Sequence, residues 1–247
     1  MDRQLTALLC RTSDRGPHAA AGTRELGELL GARIIGEPGA PRIAGWEDDL
    51  RDSHGCLMEA GGQIDDAFEA GLAPVLLAAE CSISVATLPV VVRHHPDVRV
   101  LWLDAHGDFN TPATTSSGFL GGMCLAGACG LWDTGFGAGL DPARVIMHGV
   151  RDVEGAERVA LDRCGVYRIE DAASLEGMTL FVHVDLDVLD PDLFPVSFPA
   201  PGGLSPLGLH EFLDEVGRLA DIVGAEVTSA APGYGRLVAD AIEPLLA

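Results

Sequence analysis

Two short runs hold the residues most able to do chemistry. LWLDAHGDFNTP sets Asp104, His106 and Asp108 at alternate positions behind the apolar run VRVLWL, and TLFVHVDLDVLDP sets Asp185 and Asp187 behind a second apolar run. In extended chain alternate side chains share a face, so each run presents its ligand-type groups in one direction. Four carboxylates converging on one region repel one another unless cations neutralise them. A pair of divalent metal ions is the economical reading. Oxygen-rich ligation with one imidazole suits Mn²⁺ or a similar ion better than a closed zinc site, and two such ions can hold and deprotonate a water between them. A lone aspartate at a strand end more often caps a helix or closes a turn; two spaced sets behind two strands favour metal.

Those acids need a frame that brings two strand ends together. Short apolar runs alternate with helix-like segments, a rhythm of βα units feeding a parallel sheet. Strands are expected at Leu5 to Cys10, Pro74 to Ala79, Val98 to Leu103, Arg144 to His148, Leu180 to Val184 and Ile222 to Val227. Helices are expected at Gly22 to Gly31, Leu57 to Ala70, Ile83 to His94 and Ser205 to Ala220, the last opening on Ser205-Pro206 as N-cap and first turn. Ligands of open parallel sheets bind beyond the carboxyl ends of strands, where both acidic runs fall.

The 247 residues show no internal repeat, low-complexity tract or compositional break, so one domain over 1–247 is expected. Ile, Leu, Val and Ala dominate the apolar fraction while aromatics make up 5%, which suits parallel strands under Ala- and Leu-rich helices. A net charge of −21 repels phosphate, which argues against nucleic acid and anionic membrane as partners. MDRQLTALLC lacks the basic and apolar regions of a signal peptide, and no apolar stretch reaches the length of a membrane span. The six cysteines, Cys10, Cys56, Cys81, Cys124, Cys129 and Cys164, have no paired spacing and point to a reduced compartment. A soluble, cytoplasmic protein is expected, assembled as a homo-oligomer.

DAHGDFNTP, SSGFLGGM, GVRD at Gly149 to Asp152, and DLDVLDPDLFP followed by PGGLS resemble, in matching order from about Pro74 to Pro232, the ureohydrolases: arginase, agmatinase and formimidoylglutamase. The resemblance implies an arginase-like α/β fold, three layers α/β/α with a central parallel sheet, and a binuclear Mn²⁺ site. It also implies a bridging hydroxide that attacks a guanidinium or formimino carbon, releasing urea or formamide. Asp104 and Asp185 match aspartates that contact both metals, His106 and Asp187 match ligands of one, and Asp108 matches a ligand of the other. Asn110 and Ser117 match positions that touch a substrate α-carboxylate in arginases, and Asp152 and Glu154 match acidic positions near its amino group.

The sequence departs from the family at several of these points. Gly-Gly-Asp-His-Ser is replaced by Ala78-Ala79-Glu80-Cys81-Ser82, so Cys81 stands where a histidine ligand is expected. A thiolate could take that place if a nearby dication lowers its pKa; otherwise Cys81 is a small buried residue and the first metal is weak. A thiolate would leave the cluster negative by one charge and acidify a bound water less, so Cys81→His should shift the alkaline rise of activity to lower pH. Gly121 replaces a proton-shuttling histidine, and Ser229 replaces the glutamate that grips the guanidinium. Ser197-Phe198-Pro199 replaces Gly-Thr-Pro. His183, two residues before Asp185 on the same strand face, is a candidate shuttle or second hydrogen-bonding partner, though a buried strand histidine is more often a packing residue. Asp108 and His183 are thus the candidate catalytic side chains. The expected function is a binuclear-metal hydrolase that cleaves a C–N bond of a guanidino, amidino or related substrate, less basic than arginine if Ser229 replaces the gripping acid. The alternative is a catalytically impaired member acting as a metal-binding or regulatory subunit. Deacetylases that share the fold come last, because their zinc set is not visible.

Overall fold

The computed structural model describes residues 2–247. Among the described residues eight strands form one sheet: β1 (Arg3–Leu8), β2 (Arg33–Ile35), β3 (Ala73–Leu77), β4 (Arg99–Leu103), β5 (Val145–His148), β6 (Tyr167–Arg168), β7 (Thr179–Asp185) and β8 (Asp221–Thr228). All pairings are parallel, in the order β2-β1-β3-β8-β7-β4-β5-β6. The six strands expected from apolar runs are all present. The two edge strands β2 and β6 were not anticipated, because each is short and lacks the buried apolar run that marks a central strand.

Helices cover both faces, giving the expected three layers. On one face α1 (His18–Leu30), α7 (Pro206–Leu219) and α8 (Gly235–Ala241) pack through Leu26, Leu209, Leu213 and Val238 against Leu101, Leu103, Val182 and Val184 of the strands. On the other, α3 (His54–Glu69), α4 (Ser84–His94), α5 (Cys124–Ala128) and α6 (Gly155–Arg163) pack through Leu57, Ile64, Leu88, Val91, Leu125 and Leu161 against Val100, Trp102 and Phe181. Burying each such side chain contributes about 1.5–3 kcal/mol. A short helix, α2 (Trp46–Asp52), precedes α3.

The α7 start is as its sequence predicts, with Ser205 Oγ accepting from Gly208 N at 2.9 Å and Pro206 in the first turn. By contrast α1 begins at His18 rather than Gly22. Gly22 is an internal contact, since a Cβ there would lie 2.0 Å from the Ala230 carbonyl oxygen. The short helices α2, α6 and α8 carry too few apolar anchors for the helical period to show.

The cysteines correct one expectation. Cys10, beyond β1, and Cys56, in α3, form a disulfide across 46 residues of sequence, while Cys81, Cys124, Cys129 and Cys164 are free. A pairing made by the fold leaves no spacing signal, so the argument for a reduced compartment fails. Among the described residues no helix is long and apolar enough to cross a membrane.

Candidate active site

The chain passes from β3 to β4 across the places later filled by β8 and β7, which makes the carboxyl ends of these four adjacent strands a topological switch point. Each delivers part of the site. Asp104 follows β4, Asp185 ends β7, Thr228 ends β8, and Cys81 opens the turn between β3 and α4.

Asp185 is the most heavily hydrogen-bonded of the carboxylates. Its Oδ1 accepts from Asp187 N at 2.7 Å, and its Oδ2 accepts from Cys81 Sγ at 2.6 Å, Thr228 Oγ1 at 2.9 Å and Ser229 Oγ at 2.7 Å. Asp104 Oδ1 accepts from His106 N at 2.9 Å and lies 3.2 Å from His106 Nδ1. Asp187 accepts from Ser197 N at 2.8 Å and Phe198 N at 3.0 Å, with its Oδ2 4.0 Å from His106 Nδ1. Asp108 has a left-handed backbone, φ 49°, a region aspartate enters more readily than most residues. Its carbonyl accepts from Leu125 N and Ala126 N at the start of α5. One ligand atom from each of Cys81, Asp104, His183 and Asp185 falls within 4.8 Å of all the others.

Crowding of like charge shows in the proton affinities. Burial pushes Asp108 well above the ordinary carboxylate range, with the charges of Asp104, Asp185, Glu157 and Asp187 adding to it. Asp187 is pushed up to about 8 by burial and by Asp185 and Asp104. Burial opposes charge on His106, but its hydrogen bond to Asp104 and the surrounding aspartates outweigh it and raise the imidazole to about 9. Burial, followed by Asp185, Asp108 and Asp104, holds the Cys81 thiol well above its ordinary value. The cluster as a whole is short of positive charge, and the hard oxygens with one imidazole fit divalent cations.

These groups line a cavity of about 470 Å³, which Asn110, Ser117, Asp152 and Glu154 also reach. Asn110 Oδ1 is buried without a partner among the described residues, while Ser117, Asp152 and Glu154 are exposed at the rim. Two expected site residues lie off its wall. Ser229, at φ 64°, spends its hydroxyl on Asp185 and lines an adjoining cavity of about 610 Å³. His183 is fully buried behind the cluster, stacked on Trp102 with ring centroids 3.5 Å apart.

The structure adds residues that the sequence reading passed over. Arg15, in the loop after β1, reaches the cavity with its guanidinium 4.5 Å from the Phe119 ring centroid and its Nη2 3.4 Å from the Ser117 carbonyl oxygen. Its place beyond an apolar strand was the available signal. Glu80, next to Cys81, faces both cavities and is held well above the ordinary range by burial and then by Asp14, Asp185 and Asp187. Phe119 and Phe198, with ring centroids 5.1 Å apart, form an aromatic wall. A Cβ on Gly121 would lie 2.5 Å from the Phe119 ring, so that ring fills the space a side chain at 121 would need. Glu157 accepts from Phe109 N at 2.8 Å and Glu154 N at 3.1 Å, tying the Asp108 loop to the start of α6. Arg151 points away from the cavity and donates to the carbonyls of Gly149, Asp187, Val188, Leu189 and Ala200 at 3.0–3.2 Å.

Residues 48–241 match the model of the arginase family. The chain is 36% identical over 225 residues to the N(omega)-hydroxy-L-arginine amidinohydrolase of Streptomyces lavendulae, covering 86% of this chain and 82% of that protein. It is 32% identical over 193 residues to the arginase of Bacillus caldovelox, covering 68% of this chain and 64% of that one. The crystal structure of arginase from Bacillus subtilis superposes with a TM-score of 0.83 at 21% identity, over 100% of this chain and 98% of that one, a likeness of fold.

Proposed function

The chain belongs to the arginase family, a hydrolase of guanidino or amidino C–N bonds, and from that premise we propose that it is a two-metal, Mn²⁺-loaded enzyme acting on an N-hydroxylated guanidino amino acid. The observation that carries the reading is the convergence of Asp104, His106, Asp108, Asp185 and Asp187 on the floor of one cavity. Asp104, His106, Asp185 and Asp187 would hold one cation, and Asp108 with Asp104 and Asp185 would help to hold the other. Cations held there would supply Lewis acidity and lower the pKa of a bound water.

The chain's own residues do the rest. Ser197 N and Phe198 N fix both oxygens of Asp187, and Thr228, Ser229 and Cys81 fix Asp185, so the acids are aimed before substrate arrives. Arg15 at the rim suits a substrate carboxylate, with Asn110 Oδ1 and Ser117 nearby for its polar groups. Asp152 and Glu154 give the rim negative charge for an α-amino group. The aromatic pair Phe119 and Phe198 excludes water from the methylene chain.

Support for the substrate class comes from the β8 end. Ser229 places a neutral hydroxyl, already bonded to Asp185, where a cation-gripping acid would sit in the family. An electron-withdrawing hydroxyl on the guanidine lowers its basicity and its need for such an acid. The Streptomyces relative named for hydroxyarginine points the same way. Addition of water to the guanidine carbon with loss of the C–N bond to the alkyl chain would release ornithine and hydroxyurea.

The test is a product assay on Mn²⁺-loaded protein offered L-arginine, agmatine and N(omega)-hydroxy-L-arginine in parallel. Hydroxyurea from the third, well ahead of urea from the first two, is expected. Equal turnover of arginine would overturn the substrate assignment, and no product from any of them would favour a non-catalytic, metal-binding subunit.

A further inference from the structure

One buried acid at the site is still without a partner. Glu80 lies between β3 and α4, just ahead of Cys81, and is 6% exposed. Its backbone neighbours the end of β8, where Ser229 N donates to the Ala79 carbonyl oxygen at 3.2 Å. An acid ahead of a helical turn commonly caps it, but the Glu80 side chain makes no such bond to the turn Cys81–Ile83. The hydroxyls at the adjoining β8 end, Thr228 and Ser229, are spent on Asp185, and that of Ser82 on Thr12. Arg15 lays its guanidinium on Phe119 and donates to the Ser117 carbonyl. Among the described residues nothing donates a hydrogen bond to the Glu80 carboxylate, whose other charged neighbours are the acids Asp14, Asp185 and Asp187. A carboxylate so deeply buried calls for a donor.

The place of Glu80 says which donor suits it. Arg15, Glu80 and Phe198 line both the cavity of about 470 Å³ and the adjoining one of about 610 Å³, so they surround the passage from one to the other. Asp104, His106, Asp108, Asp185 and Asp187 border the first cavity alone. A guanidine held over those aspartates ends in nitrogen, whereas N-hydroxylation adds one oxygen and one donor beyond it, towards the passage. The Gly-Gly-Asp-His-Ser motif has aspartate at this place, one methylene shorter than the Glu80 found here.

We propose that Glu80 is the residue that selects N-hydroxylated substrates, its carboxylate accepting a hydrogen bond from the hydroxyl on the guanidine at the passage between the two cavities. The assignment rests on the substrate class proposed above. It gives that class a positive determinant, where Ser229 supplies only the loss of one. A substrate without the hydroxyl leaves the carboxylate buried and unpaired, and sites built on a hydroxyl reject such analogues more strongly than sites that fit its size alone. Water from the adjoining cavity softens the penalty, so discrimination of about a hundredfold is expected in place of the roughly 10⁴-fold of a sealed pocket.

The test uses hydroxyurea and urea, two neutral molecules that differ by the one oxygen. They are titrated against the full chain loaded with Mn²⁺, with dissociation constants read from the relaxation of ligand ¹³C signals. Hydroxyurea should bind the wild type about tenfold more tightly than urea. Glu80→Asp keeps the charge but withdraws the carboxylate, and should bring the two ligands within about twofold of each other at unchanged manganese content. Should that variant fail to fold, the isosteric Glu80→Gln takes its place and should cut the gap about threefold. Equal binding by the wild type would overturn the assignment. So would a gap kept in Glu80→Asp, which would mean that the hydroxyl meets the metals instead, or a loss of manganese, which would make Glu80 a support for Cys81. A Glu80-dependent gap with no turnover of hydroxyarginine would sink the proposed reaction and leave the contact standing. Turnover with the same preference over arginine in wild type and Glu80→Asp would sink the contact alone.

Discussion

Arg15 sets positive charge at the mouth of an acidic cavity, held over Phe119 and close to the Ser117 carbonyl. A charge-assisted hydrogen bond to a substrate carboxylate contributes about 1.5–3 kcal/mol when buried, and at this half-exposed rim about 1 kcal/mol is the better figure. Arg15→Ala should therefore raise KM for hydroxyarginine roughly fivefold with kcat nearly unchanged. The decarboxylated analogue should show no such rise, and an equal rise for both would remove Arg15 from substrate binding. A second expectation concerns protons. Asp187 holds its proton up to about 8 in the folded protein against 3.8 for the free group, and His106 holds its proton up to about 9 against 6.5. In both cases the folded state binds protons that the unfolded chain has released. Chelator-stripped protein should accordingly be most stable below these windows and lose stability as pH rises from about 4 to about 9. The gain in melting temperature from added Mn²⁺ should widen over the same range, since cations then meet fewer competing protons. A flat profile for stripped protein would mean that the aspartates are not in mutual contact.

Elements hold these residues through side-chain contacts to backbone groups. Arg151 joins the turn after β5 to the segment after β7 through four carbonyls, those of Asp187, Val188, Leu189 and Ala200, and no Lys has the fork to replace it. Arg151→Lys should cost about 2–4 kcal/mol in denaturant unfolding; a loss below about 0.5 kcal/mol would mean that the segment stands by its own packing. Glu157 does the same for the Asp108 loop, and Glu157→Gln should weaken metal binding about tenfold through misplacement of Asp108. Neither role could be read from sequence. Arg151 was visible only as part of Gly149 to Asp152, and Glu157 only as one acid among many, because each acts on backbone groups that carry no side-chain signature. The strand-end acids were legible for the opposite reason. Alternate spacing behind an apolar run is a local property of the chain, and Asp104, His106, Asp108, Asp185 and Asp187 do share one cavity. Where Ser229 and His183 would point depended on strand register, which aligns His183 with Glu226 and Asp185 with Thr228, and no local pattern encodes that pairing.

At the scale of the molecule, the sheet makes neighbours of segments that are distant along the chain. The loop beyond β8 is pressed against α1, where Gly22 meets Ala230 so closely that only a hydrogen fits. Gly22→Ala should destabilise the protein by about 2 kcal/mol through overpacking and, by displacing Ala230, disturb the Ser229 hydroxyl on Asp185. Unchanged thermal stability would show that α1 can slide. The strand order also fixes when the site can exist. β8, the last strand to be synthesised, inserts between β3 and β7. On the ribosome, then, a nascent chain that stops short of β8 already carries Asp104, His106, Asp108, Asp185 and Asp187 at the ends of the adjacent strands β4 and β7, but it lacks Thr228 and Ser229, which fix Asp185, and its Cys81 lies on a separate part of the sheet. Stalled nascent chains shorter than Thr228 should therefore hold manganese more weakly than the finished protein.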